Sequence, residues 1–185
     1  MLPCPWGGGW GPGQGTQYRR RMKSLAVLLG ALLTIPQVAV ADYQEGLLSY
    51  QTGRYEQALT QFRTLALTGH PGAEFMLGVM YFTGSGVPRD PVIAAIYFRN
   101  SADKGDTGGQ LAFGSIYIRG VGVNQDLVEA RAWLLLAAHS AEDDLRQQAI
   151  TLLQATEPLM TPSELSEAEQ RARHWHPAPI RNGSR

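Results

Sequence analysis

A segment that repeats at a period of 36 residues constrains this chain more than any other feature. Residues 73–105 recur as residues 109–141: Gly78 matches Gly114, Tyr81 matches Tyr117, Gly84 and Gly86 match Gly120 and Gly122, Asp90 matches Asp126, and Ala94 and Ala102 match Ala130 and Ala138. A period of this size means that each unit is one supersecondary element unable to bury its apolar face alone, so neighbouring units must stack into a continuous core. Within a unit the pattern reads as two helices joined by a glycine loop. The stretch 72–83 has almost no polar face and must be covered nearly all round. Gly84 and Gly86 end it, and Asp90-Pro91 starts the next helix with a capping carboxylate and a proline suited to the first helical position. In the second unit Asp126 repeats the cap, with Glu129 at capping-box spacing.

A shorter unit precedes these two. Gly46, Tyr50, Gly53, Tyr55, Ala58, Phe62 and Ala66 follow the spacing of a tetratricopeptide repeat, with a tight turn at Thr52-Gly53-Arg54 in place of the Gly-x-Gly-Val loop. After the repeats, Leu145, Ala149, Leu152 and Leu153 form one helical stripe. Thr161-Pro162-Ser163-Glu164 is a capping box that opens a last amphipathic helix through Leu165, Ala168, Ala172 and Trp175. Residues 177–185 are expected to be a disordered tail.

The run from Leu77 to Gly105 resembles the Sel1-like repeat family, relatives of tetratricopeptide repeats with a longer glycine loop, and the second copy departs from that pattern only at Phe113 and Ala141. The resemblance implies an all-α fold: a right-handed superhelical array of antiparallel helix pairs, a Sel1-like or TPR-like solenoid, closed by a C-terminal capping helix pair. Repeats are expected at about 42–70, 71–106 and 107–140, with the cap at 141–176.

The formal net charge is zero, yet Arg19, Arg20, Arg21 and Lys23 all precede residue 42 and no acidic residue does, leaving 12 basic residues against 16 acidic in 42–185. The basic cluster, the apolar run Leu25–Leu33 and Ala39-Val40-Ala41 match a secretory signal peptide at 22–41, with cleavage expected after Ala41 and a periplasmic or secreted product. The alternative is an anchor retained over residues 24–35. Residues 1–21, rich in glycine and proline, read as an artefact of start-site choice ahead of Met22, or as disordered if translated. Cys4 falls in that segment, so the exported chain has no cysteine, which excludes thiol chemistry and the disulfide-stapled kind of Sel1-like protein.

Chemistry is hard to place in this sequence. None of His70, His139, His174 and His176 has a serine or carboxylate partner at nucleophile–base spacing, and no catalytic residue is assigned. His174-x-His176 is the nearest approach to a metal pair, but residues two apart on a helix point in different directions, so no metal and no cofactor are expected. His70 before Pro71 reads as a turn residue. Gly84-Ser85-Gly86-Val87 and its copy lack the lysine and preceding strand of a phosphate loop and read as inter-helix turns. Glu142-Asp143-Asp144 reads as a solvated helix start. An acidic chain with no basic stripe argues against nucleic acid, and membrane contact is expected only through the signal peptide.

Two functions remain. The first is a non-enzymatic adaptor or scaffold in the bacterial cell envelope, binding a protein or peptide of unknown identity on the inner face of the array. In tetratricopeptide-like register that face carries Tyr43, Leu47 and Tyr50, then Phe75, Val79 and Phe82, then Leu111, Ser115 and Ile118. Coverage of several of these by neighbouring helices is the competing reading. The second function is an enzyme acting on cell-wall material, with Glu74 and Glu129 as the best available carboxylates; the family resemblance also admits an accessory role in envelope stress or polysaccharide export.

Overall fold

The computed structural model describes residues 35–139 and 142–179, with side chains from Tyr43 onward. The expectations for residues 1–34, and that for Cys4, lie outside the described residues. Among the described residues eight α-helices follow one another: α1 (Ile35–Gln51), α2 (Tyr55–Leu67), α3 (Pro71–Thr83), α4 (Pro91–Asp103), α5 (Thr107–Arg119), α6 (Leu127–Ala137), α7 (Asp143–Thr156) and α8 (Pro162–His174), with one 3₁₀ turn at Glu157–Leu159. No strand occurs among the described residues. From Asp42 on the chain forms one compact unit.

Local chemistry sets the boundaries. The Asp90 carboxylate accepts from the N–H groups of Val92 and Ile93, both at 3.0 Å, and Asp106 and Asp126 accept from Gly109 and Glu129 at 2.7 and 2.9 Å. His70 plays the same part for α3, its Nδ1 accepting from Ala73 N–H at 3.2 Å. Gly84 and Gly120 close α3 and α5 in the left-handed conformation that a β-carbon disfavours. At Asp126 the capping box fails to close. The Asp126 N–H donates to Tyr117 C=O at 3.2 Å, and the Glu129 carboxylate, instead of accepting from it, accepts from Trp133 Nε1 at 3.0 Å and from Arg171 at 2.6 Å. The box at Thr161 and Glu164 is complete.

Consecutive helices up to α7 pack against one another, α8 returns onto α6, and α3, α5 and α7 also pack side by side. Inside each pair a glycine faces a large residue. A β-carbon at Gly46 would lie 2.7 Å from the Phe62 ring, one at Gly78 2.5 Å from the Phe98 ring, and one at Gly114 2.9 Å from Leu134. Between pairs, the second glycine of each long loop presses on the first residue of the preceding pair's second helix: Gly86 on Tyr55 and Gly122 on Pro91. These two contacts are related by the same period as the sequence, so one interface is used twice. Three core clusters result, around Phe62, Leu77 and Met80, around Phe98, Phe113 and Trp133, and around Leu134 and Ala149.

Two further contacts lie outside the repeat pattern. Glu74, buried in α3, pairs with Lys104 at the end of α4. The chain beyond α8 is not free at its start: Ala178 N–H donates to Asp103 C=O at 2.6 Å, and Trp175 meets Trp133 edge-on at 6.1 Å. Of the expected disordered tail, residues 177–179 lie along the end of α4, beside the Trp175 indole that packs against the second core cluster, and the rest lies outside the described residues.

Candidate functional site

The nine residues expected on one inner face divide into two groups. Phe75, Val79 and Phe82 of α3 and Leu111 and Ser115 of α5 come together around one groove of about 320 Å³, with Phe98, Gly108, Ala112, Ile116 and Arg119, and with Leu145 and Gln148 contributed by α7. Its floor is apolar because Phe75 and Phe82 lie against the buried Phe98 ring, at centroid distances of 6.0 and 6.2 Å, and Leu111 is itself buried. The Ser115 hydroxyl is turned back on its own helix, donating to Leu111 C=O at 2.7 Å. That bond leaves the groove wall with little free polarity of its own.

Tyr43, Leu47, Tyr50 and Ile118 do not line this groove. Tyr43 stacks on His70 at 4.7 Å and tilts against Phe62 at 6.0 Å, so its ring closes the first core cluster. Burial pushes its phenol above the ordinary value, and the nearby Asp106 carboxylate adds to the shift. Leu47 and Tyr50 pack on the same cluster, with Tyr50 edge-on to Tyr55 at 5.4 Å. Ile118 packs against the third cluster, toward Leu134. Each of the four packs partly on a neighbouring core cluster and stays half-buried.

Sequence reasoning missed Arg119 and Gln148. Arg119 occupies the position one period after Thr83, and a cation in the last turn of a helix is favoured by the helix dipole alone, so nothing in the sequence marks it as part of a groove. Gln148 is polar and sits between the apolar positions of α7. Only the docking of α7 beside α5 brings it to the rim.

The two carboxylates weighed for acid–base chemistry do not converge. Glu74 is buried against Lys104, and Glu129 is shared between Trp133 and Arg171, which also binds Glu167 at 2.7 Å. Neither lines the groove. Among the described residues no cluster of three or more His, Cys, Asp or Glu is placed to hold a metal ion. His174 Nδ1 sits 2.7 Å from Gln170 C=O, one helical turn back. Among the described residues, no helix is long and apolar enough to cross a membrane.

The chain matches the Sel1 repeat family over residues 71–106 and 109–141, the two pairs α3–α4 and α5–α6 with their glycine loops. Among solved structures, it is similar to a protective antigen present in uropathogenic Escherichia coli strains that displays an SLR fold, at 30% identity and a TM-score of 0.69 over 74% of this chain and 29% of that one. It is also similar to a Sel1 repeat protein from Oxalobacter formigenes, at 26% identity and a TM-score of 0.56 over 72% of this chain and 56% of that one. The chain thus spans less than two thirds of either protein. No curated protein matches it. Sel1 repeat proteins are generally protein–protein interaction scaffolds rather than catalysts. Residues 71–106 and 109–141 of this chain are thus two Sel1 repeats, in register with the sequence period and on the fold that the solved structures share.

Proposed function

We propose that the chain is a non-enzymatic scaffold of the bacterial cell envelope, exported by its N-terminal segment, which holds a segment of a partner protein in the groove between α3, α5 and α7. The observation that carries this reading is the groove itself: a preformed apolar floor of Phe75, Phe82, Leu111 and Leu145, rimmed by Arg119 and Gln148. Such a combination, mostly apolar with few polar groups at the edge, is the usual composition of a binding cleft, and its volume lies at the lower end of the range of roughly 300–1,000 Å³. It suits a short stretch of chain better than a large cofactor. The basic and apolar leader ending at Ala39-Val40-Ala41 supports the envelope location.

Site-specific photo-crosslinking in intact bacteria tests the proposal. A photoreactive residue at Ser115 is expected to trap a discrete protein adduct in the envelope fraction, and one at the exposed Val92 of α4 is not. Equal adducts from both positions, or adducts only with cytoplasmic proteins, would remove the groove or the envelope from the reading.

A further inference from the structure

Resting on that reading, the groove also specifies the chemistry of what it holds. Its twelve lining residues include one charged side chain, Arg119, and no carboxylate. At the corresponding end of α3, Arg89 is committed: its Nε donates to Phe82 C=O at 3.0 Å, and its guanidinium stands 5.8 Å over the Phe82 ring. Gln125, one period after Arg89, fills the same role for α5, donating to Ile118 C=O at 2.7 Å. The carbonyl that an arginine would otherwise satisfy there is thereby taken. Arg119 is exposed and makes no ion pair among the described residues, while the other rim group, the Gln148 amide, is exposed beside it on α7. A guanidinium is most effective toward a planar carboxylate, which it binds through two parallel N–H bonds.

We infer that the groove recognises an extended apolar peptide segment bearing an aspartate or glutamate side chain, with the apolar residues on the floor of Phe82, Leu111 and Leu145 and the carboxylate on Arg119. The Gln148 amide is placed to bond the main chain of that segment. The acid is a side chain within the segment, so that its neighbours on either side can reach the floor.

Selection from a random twelve-residue peptide library, joined to its carrier through the peptide C-termini so that no terminal carboxylate is free, tests this on the full chain. The wild type is expected to enrich Asp or Glu at a fixed spacing from Leu, Ile or Phe. Arg119→Gln alters an exposed side chain and should leave folding intact; it is expected to keep the apolar preference, lose the acidic one, and bind the selected acidic peptides about fivefold more weakly, the scale of an exposed ion pair. Ser115→Trp, which fills the groove without removing a core contact, is expected to abolish selection. Apolar peptides with no acidic preference, or acidic peptides that bind Arg119→Gln equally well, overturn the inference and leave the scaffold reading standing. Peptides whose binding survives Ser115→Trp place the binding face elsewhere and overturn both.

Discussion

Replacing Gly122 by alanine should unfasten the second repeat from the third, and the size of the effect can be worked from two separable causes. Gly122 has φ of +78°, where a β-carbon costs on the order of 1–3 kcal/mol in backbone strain. Its β-carbon would also lie 2.1 Å from the Pro91 carbonyl oxygen, 2.5 Å from the carbonyl carbon and 3.1 Å from Val92 N. All three are backbone atoms of the first turn of α4, which the Asp90 cap holds in place, so no rotamer change relieves the collision. Overpacking of this kind adds about 1–3 kcal/mol. Gly53 supplies the control, because its φ is +76° with nothing within 4 Å of the added carbon. Gly53→Ala therefore reports strain alone. At roughly 2–4 °C per kcal/mol for a chain of this size, Gly53→Ala should lower the melting temperature by about 2–12 °C, and Gly122→Ala by clearly more, up to about 24 °C. Thermal unfolding followed by far-UV circular dichroism of both variants decides the matter. Equal losses would show that the loop does not press on the preceding helix and that Gly122 serves its own turn only.

Lys104→Met leaves the buried Glu74 carboxylate without its partner and should cost about 3–5 kcal/mol in chemical denaturation, with Glu74→Gln added to it recovering part of the loss; a cost under 1 kcal/mol would mean that the pair is not shielded from water. The N–H and hydroxyl of Thr161 hold the Glu164 carboxyl below its ordinary value, so the capping box contributes stability that is present above the unfolded-state value and disappears as pH falls through the lower folded one. Glu164→Gln should therefore narrow its gap to the wild type on acidification, and parallel stability curves down to strongly acid pH would contradict the assignment. Leu77→Ala, at a site with no exposure, should cost about 2–5 kcal/mol, whereas Leu145→Ala on the half-buried groove floor should cost less and weaken peptide binding instead; equal destabilisation would put Leu145 in the core. Mass spectrometry of the exported protein should find Asp42 as the first residue, and an intact N-terminus in the membrane fraction would make the leader an anchor.

The fold was legible because its determinants are local and recur. Gly84 and Gly120 end helices through their own backbone angles, Asp90 and Asp126 start them through bonds to residues two or three ahead, and Gly78 and Gly114 face large residues at a constant offset. The groove was legible by half. Phe75, Val79 and Phe82 meet Leu111 and Ser115 around it, since all five lie on the equivalent face of two consecutive equivalent helices. Tyr43, which the helical register treats identically, lies outside the groove, because the first unit has a short turn and its tyrosine finds the His70 ring of the next helix start within stacking distance. A periodic pattern says which face a residue occupies and leaves open what arrives to cover it.

By itself, then, the sequence determined the helix boundaries, the loops, the stacking of the repeats and the apolar character of the inner face, all of which follow from backbone conformation and from spacing along one element. Tertiary structure alone decided that α7 would bring Leu145 and Gln148 to the edge of α5, that Glu129 would leave its capping box for Arg171, and that Trp175 would turn the tail back onto α4. These outcomes depend on which distant side chain is nearest once the pairs are stacked. Charge attraction and apolar burial act through space, and sequence spacing carries no record of either.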